Sequence, residues 1–135
     1  MTTQAIQVKT EPDPYAQFYI SQAMRVGELI FVSGQASLDL EGNVVPGDFE
    51  AQARRSIDNL SLVLRAGGSG LDKLVKVNIF VTDISQFDVV MKLRQEYFSK
   101  PYPADTICEV KSLALPELLF EIEAVAIANG QTSNE

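Results

Sequence analysis

The chain has 135 residues, of which 46% are hydrophobic and 21% are charged, and its formal net charge is −7. These values are typical of one soluble globular domain, which at this length could bury about two thirds of its unfolded surface. The sequence has no histidine, which excludes the Ser-His-Asp and Cys-His nucleophile systems, the HExxH zinc site and any imidazole base. The acidic charge argues against nucleic acid as a partner, because that binding depends on clustered Lys and Arg.

The single cysteine and the first residues of the chain narrow the possible chemistry and cellular location of the protein. A zinc site would need carboxylates around the single cysteine, so we expect neither a metal nor a cofactor. Any chemistry must then come from carboxylates, hydroxyls, backbone dipoles, bound water or Lys and Arg. The opening residues, MTTQAIQVKT, lack an apolar signal region, and no run reaches membrane-spanning length. We therefore expect a cytoplasmic protein without a membrane partner.

The first half of the chain predicts two strands and a helix. We expect a single domain over residues 1–135, with loosely ordered ends at about 1–14 and 129–135. Strand signals lie around YISQAMRV and ELIFVSGQ, and the turn-rich LDLEGNVVPG follows them. The next segment, DFEAQARRSIDNLSLVLRAGG, predicts an amphipathic helix that Asp48 can cap and that Gly67 can end. Its apolar stripe comprises Phe49, Ala53, Ile57, Leu60 and Leu64.

The second half predicts one strand, one helix and two further strands. LVKVNIFVT alternates as a strand, and SQFDVVMKLRQEYF has the spacing of a helix. TICEVKSL and LLFEIEAVAIA predict the last two strands. The order β-β-α-β-α-β-β predicts an α+β domain with a mixed sheet and both helices packed on one face.

The last strand indicates how the other face of the sheet is covered. Phe120, Ile122, Ala124 and Ala126 point one way, and Leu119, Glu121, Glu123, Val125 and Ile127 point the other way. The second set is too apolar for the surface of a monomer and too acidic for a dry core. We therefore expect an oligomer interface that contains wet clefts.

Two short motifs on strands are candidates for chemistry. Glu121 and Glu123 share a face, either as two solvated or interface carboxylates or with one of them orienting a water molecule for attack on a substrate carbon. In VSGQ, Gly34 after Ser33 allows the backbone to approach a neighbouring strand or a ligand closely. Cys108 shares a face with Thr106, opposite Ile107, and we expect it to be a small buried residue beneath the helices and not a nucleophile.

Several motifs together resemble a known family. SQAMRVGELIFVSGQ, AQARRSIDNLSLVLRAGG, LVKVNIFVTDISQF, YPA and FEIEAVA occur in the order found in the RidA/YjgF family, also called the endoribonuclease L-PSP family, over residues 20–128. The resemblance implies the chorismate-mutase-like α+β fold and a homotrimer with inward-facing sheets and a small-molecule cleft at each subunit interface. It also implies hydrolysis of enamines and imines, such as 2-aminoacrylate or 2-iminobutanoate, to a keto acid and ammonia.

Position by position, the resemblance implies a partly altered site. Glu121 matches the cleft glutamate that orients the attacking water, and Ser33 and Gly34 match the cleft-lining SGQ. Two positions depart from the family's PAR(S/T)C: Asp105 replaces the arginine that pairs with the substrate carboxylate, and Ile107 replaces the cysteine. Thr106 lies between these two substitutions.

The family's cleft tyrosine is replaced by Ile20. An aspartate at position 105 would repel a carboxylate, so we expect poor activity on standard 2-imino acids.

Three functions stay open at this point. The first is hydrolysis of a neutral or cationic imine or enamine, with Glu121 positioning water, Ser33 and backbone amides holding polar atoms, and Asp105 meeting a positive group. The second is a trimeric metabolite-binding or partner-binding protein without turnover. The third is endoribonuclease activity, which the net charge of −7 and the absence of histidine favour least.

Overall fold

The computed structural model describes residues 2–133. Its strands are β1 (Ala5–Val8), β2 (Ala23–Val26), β3 (Leu29–Gln35), β4 (Leu74–Val81), β5 (Ala104–Glu109) and β6 (Phe120–Ile127), and its α-helices are α1 (Phe49–Ala66) and α2 (Phe87–Tyr97). The strands form one sheet in the order β1-β2-β3-β6-β4-β5. β4 and β5 are parallel and joined through α2, whereas the other neighbours are antiparallel. The predicted α+β fold with a mixed sheet is confirmed.

Helix α1 forms where its local sequence predicts it. The Asp48 carboxylate accepts a hydrogen bond from the backbone N–H of Ala51 at 2.9 Å, which caps the helix. The five residues of the predicted apolar stripe are all buried. A Cβ at Gly67 would lie 2.8 Å from Cδ1 of Ile30, so glycine lets the end of the helix approach the sheet closely. The Asp48 cap begins the helix, and the buried stripe and the close approach at Gly67 hold α1 on one face of the sheet.

The core lies between the two helices and that face. β6 alternates as predicted, because Phe120, Ile122, Ala124 and Ala126 are buried whereas Glu121, Glu123, Val125 and Ile127 are only partly buried. Val77, Ile79 and Val81 of β4 join the buried set. The helix-packed face therefore supplies the interior of the domain, and the second face is left open.

The open face combines acid and apolar side chains. Phe31 of β3 pairs with Val125 of β6, and its side chain is 46% exposed. Leu29, beside Ile127, is 41% exposed. Glu121 and Glu123 occupy the other end of β6, opposite Phe80 and Asn78 of β4. One end of this face is therefore apolar and the other acidic.

The N-terminal region differs from the sequence expectation. Residues 1–14 were expected to be loosely ordered, but β1 forms there and pairs with β2 from Ala5–Val26 to Val8–Ala23. Only Val8 of this strand is buried, so β1 is too short and too exposed to produce a clear alternating pattern. β2 begins at Ala23, later than expected, because a 3₁₀ turn over Ala16–Phe18 comes first. Residues 129–133 contain no helix or strand, and Met1, Asn134 and Glu135 lie outside the described residues.

A β-bulge interrupts β3 where the candidate site begins. The pairing with β6 shifts between Val32, opposite Ala124, and Gln35, opposite Ile122, so β3 contains one extra residue there. Ser33 and Gly34 occupy the bulge. Bulges re-aim side chains and backbone groups, and they occur frequently beside active sites. This bulge brings the backbone of Gly34 under the side chain of Glu121.

Candidate functional site

Gly34 and Glu121 form the closest part of the candidate site. A Cβ built on Gly34 would lie 2.6 Å from Cδ of Glu121 and closer still to its Oε2. Any larger residue at position 34 would collide with the carboxylate. In the sequence, only the family resemblance links these two residues, whereas the structure places them in contact range within one chain.

Tyr15 holds the backbone of Gly34 in place with a hydrogen bond. Its hydroxyl donates a 2.6 Å hydrogen bond to the carbonyl oxygen of Gly34, and the residue is buried. Burial, followed by the charge of Glu121, raises the pKa of the Tyr15 hydroxyl far above its ordinary value, so the hydroxyl keeps its proton. Sequence reasoning missed Tyr15, because this contact spans 19 positions of the chain and no spacing rule connects them.

A small cleft opens above the Glu121 carboxylate. Its volume is about 170 Å³. The apolar part of its lining consists of Phe18, Ile20, Ala36, Leu38, Ala114, Leu115 and Leu118. Tyr15, Gly34 and Glu121 complete the lining. Ile20, which the resemblance aligns with a cleft tyrosine, thus lies in the same cleft as Glu121.

Glu121 has the electrostatic environment of an acid–base group. Burial, and then the charge of Glu123 on the same face, raises the pKa of the Glu121 carboxyl above its ordinary value. A carboxyl whose pKa moves toward neutrality can accept a proton from water and return it to a leaving group. Among the predicted site residues, Glu121 is the one that combines a place in the cleft lining with a raised pKa, and its catalytic role stays a prediction.

Ser33 lies beside the cleft, but its hydroxyl has a partner. Ser33 Oγ donates to the carbonyl oxygen of Ser21 at 2.6 Å, and the Ser33 backbone N–H donates to Gln22 at 2.9 Å. Both contacts tie the bulged strand to the segment that precedes β2. The predicted role of Ser33 in holding a substrate stays a prediction, for which its oxygen could still act as an acceptor.

Asp105 and Glu121 lie on opposite faces of the sheet. Arg94 of α2 donates through Nε and Nη2 to the two carboxylate oxygens of Asp105, each at 2.9 Å. The guanidinium carbon of Arg94 lies 5.4 Å from the ring centroid of Phe87. The positive group that Asp105 meets in this structure is therefore Arg94. Binding of substrate by Asp105 stays a prediction.

This ion pair lies at the edge of a second cleft, on the helix side of the sheet. The cleft has a volume of about 460 Å³. Its lining consists of Met91, Arg94, Gln95, Phe98, Tyr102, Pro103 and Asp105.

The remaining residues of β5 alternate between the two faces. Ile107 packs against the core beneath the helices, whereas Thr106 is exposed. Cys108 is also exposed, so its predicted burial beneath the helices is wrong. The cause is the parallel register, which aligns Cys108 with Phe80 and hence with the open face. Within one chain, Thr106 therefore shares the face of Glu121, and Ile107 does not.

Residues 2–133 contain no cluster of three or more Cys, Asp or Glu side chains arranged to hold a metal ion. Over the same residues, no helix is both long enough and apolar enough to cross a bilayer.

The fold and the site define an α+β protein with a bulged strand and a half-buried glutamate in a small apolar cleft. A family model described as "Endoribonuclease L-PSP" matches residues 8–128. The chain therefore belongs to this family, for which RidA/YjgF is another name, and the sequence resemblance is confirmed.

Individual relatives cover most of the chain. It is 44% identical over 108 residues to the mitochondrial protein mmf2 of Schizosaccharomyces pombe, covering 80% of this chain and 85% of that one. It is 31% identical to the 2-iminobutanoate/2-iminopropanoate deaminase of Bos taurus, covering 93% and 92% of the two chains. The crystal structure of RidA from an Antarctic Psychrobacter superposes with a TM-score of 0.83 at 32% identity, covering 90% of this chain and 98% of the other. Because one relative is mitochondrial, the cytoplasmic address stays a prediction.

Proposed function

We propose that the chain is a RidA-like hydrolase that converts an imine or enamine to a carbonyl compound and ammonia, with Glu121 as the group that positions and deprotonates water. The observation that carries this proposal is the Glu121 carboxylate, half-buried at the floor of a small apolar cleft and lying over Gly34. The name of the bovine relative, an imine deaminase, supports the same reaction class. The net charge of −7 and the absence of histidine argue against ribonuclease activity in this chain.

The reaction divides into two stages, addition of water and loss of ammonia, with Glu121 transferring the protons in both. In the first, the carboxylate accepts a proton from water while the water oxygen bonds to the C=N carbon of a protonated imine, and the π electrons move to nitrogen. In the second, the protonated Glu121 donates that proton to the nitrogen of the carbinolamine. The C–N bond then breaks as Glu121 takes the hydroxyl proton and the carbonyl forms. The departing ammonia accepts that proton from Glu121 and leaves as ammonium, which restores the carboxylate. An apolar wall around the carboxylate strengthens each of these charge-dependent steps.

The activity test uses an imine produced in place by an amino-acid oxidase or an amine oxidase, with release of ammonia or carbonyl product as the signal. We expect the wild type to accelerate release over spontaneous hydrolysis and Glu121→Gln to remove most of that acceleration. General acid–base catalysis by one side chain contributes about 10²–10⁴-fold. The isosteric glutamine keeps the packing, so circular dichroism and oligomeric state should match the wild type. Full activity in Glu121→Gln would refute the assignment.

We further propose that the chain is a homotrimer whose open sheet faces meet, with the Glu121 cleft at or near the subunit interface. The exposed apolar end of this face, with Phe31 and Leu29 beside β6, supports the proposal. Val125→Arg should dissociate or unfold the assembly, because it buries an unpaired charge at the contact. Leu62→Arg is the matched control, since Leu62 is 44% exposed on α1. Sedimentation that shows a stable wild-type monomer at micromolar concentration would refute this assembly.

A further inference from the structure

The cleft beside Glu121 is acidic and apolar. Its ten lining residues include one charged side chain, that of Glu121, and neither Lys nor Arg. The Tyr15 hydroxyl is occupied by the carbonyl oxygen of Gly34 at 2.6 Å. This chain therefore contributes hydrocarbon walls and one carboxylate to the environment of a ligand in this cleft.

A substrate that carries a carboxylate would bind unfavourably in this cleft. Moving a carboxylate out of water without a cationic partner is strongly unfavourable, and the nearby negative charge of Glu121 adds repulsion. Arg94, the guanidinium that contacts β5, is already bound to both oxygens of Asp105 at 2.9 Å. Its charge is therefore balanced by the protein before any ligand arrives.

We infer that the Glu121 cleft selects small alkyl imines without a carboxylate and binds them as iminium cations. This inference rests on the proposed function and names its substrate class. The apolar walls contact the alkyl group, and the Glu121 carboxylate faces the positive nitrogen. The reaction then reads R–CH=NH₂⁺ + H₂O → R–CHO + NH₄⁺, and it needs no oxidant, reductant or further reactant.

A matched pair of substrates tests this selection. A flavin-dependent amine oxidase converts butylamine to butan-1-imine, and an L-amino-acid oxidase converts norvaline to 2-iminopentanoate, so both imines have the same propyl group. Catalase removes the peroxide in each mixture. Acceleration is measured as product release relative to spontaneous hydrolysis of each imine. We expect a value at least about tenfold higher for butan-1-imine, because a charge-assisted contact of this kind is worth about a factor of ten or more. Equal or greater acceleration of 2-iminopentanoate would overturn the inference.

A variant of the cleft wall tests whether the missing cation sets the preference. Ile20 is 49% exposed at the cleft, so an arginine can be placed there without burying its charge in the core. Ile20→Arg should move the preference toward 2-iminopentanoate by about tenfold or more, whereas Ile20→Met, which adds no charge, should not. An unchanged preference in a folded Ile20→Arg protein would contradict the inference.

Binding measurements separate this inference from the proposed hydrolysis. Calorimetry compares butylammonium, a stable mimic of the iminium, with 2-oxopentanoate, a stable mimic of the imino acid. We expect butylammonium to bind more tightly and Glu121→Gln to weaken it by about tenfold. If it binds in this way but neither imine is turned over, the hydrolase proposal fails and the ligand class stands. Tighter binding of 2-oxopentanoate, or no binding of butylammonium, would overturn the inference itself.

Discussion

Substitution of Gly34 by alanine perturbs the candidate site at one defined point. The backbone of Gly34 lies outside the left-handed region, so an added methyl group causes no backbone strain. Its Cβ would lie 2.6 Å from Cδ of Glu121, whereas ordinary contacts begin at 3.4 Å. The glutamate is on a flexible side chain, so we expect it to move and the fold to remain.

The size of the effect follows from this displacement. The Glu121 carboxylate must retreat by about 1 Å, and a misplacement of that size can cost about a hundredfold in rate. A hundredfold loss corresponds to about 2.7 kcal/mol in transition-state stabilisation. The free energy of unfolding should change by less than about 1 kcal/mol, because the side chain yields and no core residue moves.

The assay compares four proteins: wild type, Gly34→Ala, Glu121→Ala and the double variant. If the methyl group acts by displacing the carboxylate, Gly34→Ala should reduce imine hydrolysis strongly in the wild-type background and very little in the Glu121→Ala background. Such non-additivity is the signature of two residues acting as a unit. Equal losses in both backgrounds would show that the alanine acts through the bulge or the cleft shape and not through Glu121.

Two further predictions concern stability. Burial raises the pKa of the Glu121 carboxyl in the folded protein above its value in the unfolded chain. The favourable contribution of Glu121 to the free energy of unfolding is therefore complete below the unfolded pKa and is lost as pH rises through the folded pKa. Glu121→Gln should thus be more thermostable than the wild type at about pH 7, with a gain that shrinks toward about pH 4. A gain that is independent of pH in thermal melts would contradict this origin. Asp105→Ala leaves the partly buried Arg94 unpaired and should cost about 1–3 kcal/mol in urea unfolding at fixed protein concentration. The double variant with Arg94→Leu should recover part of that loss, and a single variant as stable as the wild type would show that the ion pair contributes nothing.

Features that depend on local sequence could be predicted, and features that depend on distant pairing could not. Helix α1 was predictable because Asp48 caps it and its apolar residues repeat at helical spacing. The position of Glu121 on the face opposite Phe120 followed from strand alternation alone. The contact of Tyr15 with Gly34 was not predictable, since it depends on a bulge and on a loop that precedes β2.

β5 shows the limit of alternation most clearly. Alternation indicates correctly that Asp105 and Ile107 share one face and that Thr106 and Cys108 share the other. It does not indicate which of the two faces the helices cover. That assignment requires the register with β4, in which Phe80 aligns with Cys108, and the position of Arg94 on α2. The same missing information explains why the partner of Asp105 could not be identified from the sequence.

The position of β6 has a consequence for how the chain folds as it is made. This strand lies between β3 and β4, and in the described sheet it is the link between the three-stranded part β1-β2-β3 and the pair β4-β5. Both parts leave the ribosome before β6 does. At synthesis rates of about 5–20 residues per second, the partly apolar edge of β3 that later pairs with β6 therefore stays unpaired for several seconds. Unpaired edges of this kind are prone to aggregate. A chain that stops before Phe120 would therefore yield two unjoined fragments of sheet and not a smaller version of the domain.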